Sequence, residues 1–353
     1  MLSIRPEVSQ PITENTAMHR ATSIPIRLAF ATDANYLHRT GVALHSILKH
    51  ASRPVEATIL YSGLSDADKE HLLGACRPFA AKIHFAEIDI QKLRDLPVFS
   101  RSMSYAAYFR LLLPELVPPD LDKILYLDSD IVCCGDIAPL WETDVSAHAV
   151  ASVREPILVD ERRRGLIQRM IHSREDVHAL GEACYLNSGV MLINVNRWRS
   201  AGITERVLEW RRRNSHLTML YDQDALNAVI CGDWLQLSVR WNFCPSFLRM
   251  TNYRFARQRR RLDPVLVHLS AGIGPARYRK LAQDHLDAIR WPGCPASYGS
   301  NVAGRLKYYA RIKWALRMAH IAVFPFLYGP ATEFGRRTPA RLLLQGDDGP
   351  AAG

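Results

Sequence analysis

Short apolar runs alternate with amphipathic segments along most of the chain, and this alternation predicts the fold. Strands have a side-chain period of two, whereas amphipathic helices repeat apolar residues every three or four positions. The apolar runs predict strands over residues 26–31, 55–61, 83–88, 124–127, 149–153, 189–195 and 265–269. The helical patterns cover residues 36–49, 65–76, 105–113 and 222–230. Such alternation is typical of an α/β protein with a doubly wound, mostly parallel sheet.

Two positions predict where helices begin and end. Ser65 is followed three residues later by Asp68, which is the spacing of a capping box at the start of a helix. Pro114 follows the helical pattern over 105–113. Because proline lacks the backbone N–H that a helix needs, we expect Pro114 to stop that helix.

One apolar strand ends directly at two carboxylates, Asp128 and Asp130. Residues i and i+2 of a strand point to the same side, so both carboxylates can converge on one point. Convergent carboxylates repel each other unless a cation lies between them, and Mg²⁺ or Mn²⁺ prefers such oxygen ligands and also holds substrate phosphates. The pattern therefore indicates a metal-dependent enzyme with a phosphate-bearing substrate, although Asp-x-Asp also occurs in ordinary turns.

Composition indicates an ordinary globular protein whose charge is unevenly placed. The 353 residues are 48% hydrophobic and 23% charged. The net charge of +10 comes from the C-terminal third, because residues 251–353 contain 17 basic and 6 acidic side chains. The seven cysteines form no Cys-x-x-Cys pair, so we expect free thiols in a reducing cytoplasm. We expect residues 1–24 to be a flexible tail without a signal peptide, and no apolar run is long enough to span a bilayer.

Four separated segments together resemble the retaining glycosyltransferases of family 8, which include bacterial lipopolysaccharide galactosyl- and glucosyltransferases. They are FATDANY at 30–36, YLDSDIV at 126–132, YLNSGVMLIN at 185–194 with RW at 197–198, and DQDALN at 222–227. The resemblance implies a Rossmann-like GT-A domain over residues 25–275. It also implies transfer of galactose or glucose from a UDP-sugar to a saccharide or lipid-linked acceptor, with Mn²⁺ or Mg²⁺ bound.

The resemblance assigns the nucleotide and the ion to particular residues. Asp33 and Asn35 would read the edge of uracil, Tyr36 would stack on its face, and Ala31 would belong to the same nucleotide site. For Asp33 and Asn35 the alternative is simple capping of the following helix. Asp128 and Asp130 would hold the ion together with His268, although a lone histidine is commonly structural. Further nucleotide contacts are expected from Asp128, Ser129 and Arg110, since a planar guanidinium suits a diphosphate.

The sugar side of the site rests on the same resemblance. Asn187 and Asp222 would hydrogen-bond the sugar hydroxyls, and Gln223 would lie near the anomeric carbon, opposite the leaving group. An amide is a poor nucleophile, so a double displacement through a carboxylate has no obvious residue here. We therefore favour attack of the acceptor on the same face from which the diphosphate leaves.

The chain departs from the family after His268. The family continues with Gly and then Lys-Pro-Trp, whose lysine holds the diphosphate, whereas this chain continues LSAGIGPAR. Gly272 could offer a backbone N–H to a phosphate, and Arg277 or Lys280 could supply the charge. The sequence leaves open which of these replaces the lysine, and whether the enzyme is weakened.

Residues 276–353 are expected to form a basic helical segment. Residues 301–323 contain five basic side chains and no acidic one, with apolar residues on one stripe. Such a helix is typical of an anionic membrane surface, and a helix docked on the catalytic domain is the alternative. No motif for nucleic acid accompanies the charge, so we expect no nucleic-acid partner. The Arg-rich stretch over 160–176 is compatible with a lid or with a solvated helical face.

Two rival functions remain from the sequence. A haloacid-dehalogenase-like phosphatase would use Asp128 as nucleophile and Asp130 as general acid. Its motif normally opens the domain, however, and here about a hundred residues of strand–helix units precede it. The altered segment after His268 suggests the second rival, a non-catalytic module that binds a UDP-sugar.

Overall fold

A seven-stranded mixed sheet organises the chain in the computed structural model. The structure describes residues 24–79, 81–96, 104–155, 185–214, 222–230, 232–245, 263–269 and 276–291. The strands of the large sheet are β1 Ile26–Asp33, β2 Val55–Ser62, β3 Ala81–Glu87, β4 Lys123–Leu127, β6 Val150–Arg154, β7 Leu186–Asn194 and β8 Trp234–Leu237. A second sheet pairs β5 Ile131–Cys133 with β9 Leu266–His268.

Eight α-helices lie among the described residues. They are α1 Leu37–His50, α2 Asp66–Cys76, α3 Ala106–Leu116, α4 Ala138–Trp141, α5 Val195–Ser200, α6 Ile203–Arg213, α7 Asp222–Ile230 and α8 Ala276–Ile289. Short 3-10 turns cover Ile90–Leu93 and Val239–Trp241. None of these helices is both long and apolar enough to cross a bilayer.

The strand order is β3-β2-β1-β4-β7-β6-β8, and a single strand runs against the others. Strands β1 to β4 pair in parallel, as do β6 and β8. Strand β7 is antiparallel to both β4 and β6. The prediction of a mostly parallel α/β sheet is therefore confirmed. The reversal of β7 has a consequence for the site, because it brings the beginning of β7 to the edge where the parallel strands end.

Both faces of the central strands are buried, which explains why they are apolar without alternation. Leu125, Leu127 and Val190 belong to the core that contains α1, α2 and α4. Tyr126 and Met191 belong to the core that contains α3, α5, α6 and α7. A third, smaller core joins α8 to the second sheet and to α1.

The two helix signals have different outcomes. The Ser65 hydroxyl accepts from the Asp68 N–H at 3.2 Å and the Asp68 carboxylate accepts from the Ser65 N–H at 3.0 Å, so the capping box is confirmed. The expected stop at Pro114 is wrong, because α3 continues to Leu116. A proline in the last turn loses only its own hydrogen bond, and the next N–H groups can still pair, as Val117 does with the Leu113 carbonyl.

The remaining differences between the predicted and the observed strands are small or concern pairing between distant segments. Strand β7 begins at Leu186, three residues before the prediction, and β5 and β8 were missed. Strand β5 is only three residues long and pairs with a strand far along the chain, so no local pattern identifies it. The Arg-rich stretch, Gly272, residues 301–323 and the tail up to residue 23 lie outside the described residues.

Candidate active site

Three potential ion ligands converge at the edge where β4 ends. The ligand atoms of Asp128, Asp130 and His268 all lie within 4.8 Å of one another. The His268 Nε2 lies 3.0 Å from the Asp130 Oδ1 and 3.7 Å from the Asp128 Oδ2. The pairing of β5 with β9 is what brings the imidazole here, because it sets Ile131 opposite His268.

The donor set and the space around it fit a divalent cation. Two carboxylates and one neutral imidazole are ligands that Mn²⁺ and Mg²⁺ accept. Gly189 of β7 forms one wall, and its carbonyl accepts from the Asp128 N–H at 2.9 Å. A Cβ at position 189 would lie 2.5 Å from the His268 Cε1 and 2.8 Å from the Asp128 Oδ2. Only glycine therefore leaves the three ligands in their present positions.

In this cluster the negative charge of the carboxylates is partly balanced by the His268 imidazole. Burial is the largest single influence and lowers the pKa of His268, but Asp130 and Cys244 together outweigh burial, so the pKa lies well above the ordinary value. Without a cation the imidazole therefore carries a proton. A cation bound by Nε2 would take the place of that proton, which makes ion binding dependent on pH.

Arg110 of α3 holds the acidic residues of the site in place. Its Nη2 lies 2.9 Å from the Asp128 Oδ1, and its Nε lies 3.1 Å from the Asp222 Oδ2. Its Nη1 donates to the Ser188 carbonyl at 2.9 Å. The guanidinium lies 4.8 Å above the ring of Tyr126, whose hydroxyl donates to the Asp128 Oδ1 at 2.9 Å. Burial lowers the pKa of Arg110, but the two carboxylates more than compensate, so the side chain is permanently charged.

Asp222 begins α7 and is buried beside Arg110. Burial raises the pKa of Asp222 to about 6, Arg110 opposes this rise, and the nearby Asp128 adds to it. A carboxyl group that titrates near neutrality can act as hydrogen-bond donor or acceptor toward a hydroxyl.

Gln223 and Asn187 meet at a carboxylate that sequence analysis missed. Glu155, which is only 3% exposed, accepts through Oε2 from the Asn187 Nδ2 at 2.7 Å and from the Gln223 Nε2 at 2.9 Å. The other end of the Gln223 amide accepts from the Ser188 N–H at 2.9 Å. Glu155 follows β6, and ligands of α/β sheets lie at the carboxyl ends of strands; applied to β6, this rule would have found it.

An adjoining cleft of about 190 Å³ runs from the end of β1 to the acidic pair. Its lining includes Ala31, Tyr36, Arg110, Asp128, Ser129 and Asp130, together with Thr32, Ser104, Ala106, Ala107 and Tyr126. The Ser129 hydroxyl donates to the Ala31 carbonyl at 3.0 Å, which ties β4 to β1.

Asp33 and Asn35 lie where β1 leads into α1. The Asp33 carboxylate accepts from the Tyr36 N–H at 3.0 Å, a local contact within the turn. The Asn35 side chain is exposed. Helix α1 has Tyr36 as its N-cap and no side-chain cap hydrogen bond, so the contact of Asp33 closes the turn before the helix and does not cap it. It leaves one carboxylate oxygen of Asp33 for another donor.

Among the described residues, the contacts of Arg277 are with groups other than Asp128, Asp130 and His268. Its guanidinium lies 4.4 Å above the ring of Tyr278 and close to Cys134. Cys134 pairs with Val265, at the end of the second sheet remote from His268. Lys280 pairs with Asp284 at 2.9 Å on the exposed side of α8. A diphosphate contact from Arg277 or Gly272 in place of the family's lysine therefore stays a prediction.

Comparison with known proteins identifies relatives over most of this region. The model of glycosyl transferase family 8 matches residues 27–275. General stress protein A of Bacillus subtilis is 27% identical over 261 residues, 71% of this chain and 87% of that protein. The lipopolysaccharide 1,2-glucosyltransferase of Escherichia coli K12 is 30% identical over 225 residues, 63% of each chain.

The solved structures show the same fold. The galactosyltransferase LgtC, in complex with donor and acceptor sugar analogs, superposes with a TM-score of 0.62 at 24% identity. The match covers 77% of this chain and 98% of that chain. The predicted fold of the GT-A type is therefore confirmed, and so is the resemblance that the four motifs carry.

Proposed function

The chain belongs to glycosyl transferase family 8, and from this premise we propose that it transfers galactose or glucose from a UDP-sugar to an acceptor of the lipopolysaccharide type. The acceptor would be a saccharide or a lipid-linked saccharide, and the anomeric configuration would be retained. The observation that carries the proposal is the convergence of Asp128, Asp130 and His268 beside a cleft that ends at Tyr36.

The ion proposed for this site is Mn²⁺ or Mg²⁺. Asp128 and Asp130 would hold it with carboxylate oxygens, and His268 with Nε2. Such an ion, when bound, stabilises the negative charge of a departing diphosphate. Arg110 adds a fixed positive charge at the same edge and, through Asp128 and Asp222, keeps the ligands oriented.

The sugar would lie between the acidic cluster and the start of α7. Asn187 and Asp222 would bind its hydroxyls, and Gln223 would face the anomeric carbon. Both ends of the Gln223 amide are engaged, by Ser188 and by Glu155, which supports a positioning role over a nucleophilic one. The acceptor oxygen would bond to the anomeric carbon as the bond to the diphosphate breaks. The acceptor proton would pass to the leaving phosphate oxygen, giving the glycoside and UDP.

A donor screen tests this function. The purified protein is incubated with UDP-galactose or UDP-glucose and Mn²⁺, and release of UDP is followed with and without EDTA. We expect UDP release from one donor, abolished by EDTA, and a product whose anomeric configuration by NMR equals that of the donor. Phosphate release from simple phosphomonoesters without nucleotide sugar would favour the phosphatase. Metal-dependent UDP-sugar binding without turnover or hydrolysis would favour the binding module.

The predicted membrane partner rests on the sequence alone. We propose that the protein works in the cytoplasm at the inner face of the plasma membrane, held there by the basic segment over residues 301–323, for which the sequence predicts an amphipathic helix. Flotation with vesicles of phosphatidylglycerol or phosphatidylcholine tests this. We expect binding to the anionic vesicles only, and its loss when residues 301–330 are deleted. Binding that depends on neither would contradict the proposal.

A further inference from the structure

A buried asparagine connects the candidate ion site to the candidate sugar site. The Asn242 Oδ1 lies 3.1 Å from the His268 Nδ1, and the Asn242 Nδ2 donates to the Asn187 Oδ1 at 2.8 Å. Asn242 is 2% exposed and Asn187 is 6% exposed. No feature of the four motifs includes Asn242, and the proposed function gives it no role.

The surrounding groups determine which way each amide faces. The Asn187 Oδ1 also accepts from the Gly189 N–H at 2.9 Å, and its Nδ2 donates to Glu155. Asn242 must therefore present its NH₂ to Asn187 and its oxygen to His268. An oxygen can only accept, so the His268 Nδ1 carries a proton and Nε2 is the atom left for an ion.

The backbone fixes Asn242 beside the strand that carries His268. Asn242 follows the 3-10 turn Val239–Trp241, and the next residue, Phe243, forms an isolated bridge with Val267 of β9. The Phe243 N–H donates to the Leu266 carbonyl, and the His268 N–H donates to the Phe243 carbonyl, both at 2.9 Å. The backbone at Asn242 is thus held next to β9, within reach of the His268 ring.

The hydrogen bonds continue to the residue proposed to face the anomeric carbon. From Asn187 the chain of contacts passes to Glu155, whose Oε2 also accepts from Gln223. Side-chain hydrogen bonds therefore run without a break from His268 to Gln223, through residues that are at most 7% exposed. Buried networks whose members are all paired favour one arrangement strongly, because any member that turns leaves a buried polar group unpaired.

We propose that Asn242 is a positioning residue that couples binding of the ion to alignment of the donor sugar. Its oxygen fixes the tautomer and direction of the His268 ring, and its NH₂ fixes Asn187 and, through Glu155, Gln223. This inference rests on the proposed function, since it assigns a role toward the same ion and sugar.

Two substitutions at Asn242 separate the two halves of this role. Asn242→Asp keeps an acceptor for the His268 Nδ1–H but removes the donor to Asn187. Asn242→Ala removes both. We expect Asn242→Ala to weaken Mn²⁺ binding, measured by electron paramagnetic resonance without donor, by about 10- to 100-fold. Asn242→Asp should bind Mn²⁺ at least as tightly as the natural protein.

Turnover gives the second readout. At saturating Mn²⁺ we expect Asn242→Asp to lower kcat for sugar transfer by about tenfold, because Asn187 loses a buried partner. The dissociation constant of UDP, which lacks the sugar, should not change. Asn196→Ala is the matched control, since Asn196 makes one exposed hydrogen bond to Asp122 at 3.0 Å. Equal Mn²⁺ affinity of both Asn242 variants, or unchanged kcat in Asn242→Asp, would overturn the proposal.

A measurement without metal tests the role of Asn242 independently of the proposed function. In ¹⁵N-histidine-labelled protein, the His268 Nδ1–H should exchange slowly with solvent in the natural protein and in Asn242→Asp, and rapidly in Asn242→Ala. If the natural protein neither binds Mn²⁺ nor turns over a UDP-sugar, the proposed function fails, whereas this exchange still tests the coupling. Slow exchange in a folded Asn242→Ala variant would contradict it.

Discussion

Among the residues that the structure describes, His268 and His285 are buried, and the surroundings of the two rings differ. At the edge of the sheet, His268 lies 3.0 Å from the Asp130 carboxylate, and its pKa is raised despite burial. Between α1 and α8, the His285 Nδ1 lies 2.8 Å from the His45 Nδ1. There the pKa of His285 is lowered to about 4, chiefly by burial and then by the neighbouring His45, Lys49 and His50.

The difference shows what makes a buried imidazole fit to bind an ion. Burial alone disfavours the charged ring, so the pair between α1 and α8 is neutral and joins two helices by a hydrogen bond. The ring at the sheet edge lies within 4 Å of two carboxylates that can attract a proton or a cation. For His285, by contrast, the opposing carboxylate of Asp284 is the weakest of the influences on its pKa. The same residue type is therefore a candidate ligand in one region and a packing contact in the other.

Removal of a carboxylate at the sheet edge should have the largest effect. Asp130→Asn keeps the shape of the side chain but removes the charge that faces His268 at 3.0 Å. We expect a loss of about 100- to 1,000-fold in kcat for sugar transfer, the size found when a charge-stabilising group is removed. The rate of UDP release measures it.

Asp66→Asn is the control for this substitution. Its carboxylate is fully exposed at the start of α2, so the rate should stay near that of the natural protein. If Asp130→Asn were as active as Asp66→Asn, the sheet-edge cluster would be no more than a structural ion pair, like many others at protein surfaces.

A larger side chain at Gly189, beside the three ligands, should have the next largest effect on the rate. In Gly189→Ala the new Cβ would lie 2.5 Å from the His268 Cε1, so the ring or the strand must move. A displacement of about 1 Å at a reacting centre can cost about 100-fold in rate, and we expect a loss of that size together with weaker Mn²⁺ binding. Gly135→Ala is the control, because its Cβ would meet Val265 at an ordinary 3.7 Å. Full activity in Gly189→Ala would show that the three ligands need not stay where they are.

The sequence predicts the strongest local features of both the fold and the site. The end of β4 directly before Asp128 and the capping box at Ser65 both follow from neighbouring residues, and both are confirmed. The assignments of Asn187 and Gln223 rest on motifs, and the structure brings the two together at one carboxylate.

What the sequence misses depends on contacts between distant segments. Glu155 and Asn242 each stand alone in sequence, and their importance comes from partners that lie 26 to 68 residues away. Strand β5 forms only because β9 pairs with it. Such pairings depend on the closure of long loops, which no window of neighbouring residues records.

The histidine pair predicts a smaller effect, on the pH dependence of stability. Because the pKa of His285 is lower in the folded state than the ordinary 6.5, its contribution to stability is complete above about 6.5 and is lost as the pH falls toward about 4. His268, with a raised pKa, has the opposite sign in metal-free protein, since its contribution is complete below about 6.5 and is lost as the pH rises through its folded pKa.

Unfolding in urea with EDTA, followed by circular dichroism between pH 4 and pH 8, separates the two histidines. His285→Asn should flatten the loss of stability on the acid side, by about 1 to 2 kcal/mol between pH 6.5 and pH 4 once screening by solvent is allowed for. His268→Asn should leave the loss of stability at acid pH unchanged and should alter the change in stability at alkaline pH. Parallel pH profiles for the natural protein and His285→Asn would show that the pair between α1 and α8 does not titrate as its surroundings indicate.

The smallest effect is expected from alanine at Gly74, a glycine whose surroundings differ from those of Gly189. Gly189 is required by the cluster around it, whereas Gly74 lies within α2 and a Cβ there would meet no atom within 4 Å. Alanine is a better helix former than glycine by about 0.5 to 1 kcal/mol, so Gly74→Ala should stabilise the protein by up to that amount without changing turnover. Urea midpoints and UDP release measure the two effects. A loss of activity in Gly74→Ala would mean that α2 moves during the reaction, which would extend the site beyond the sheet edge.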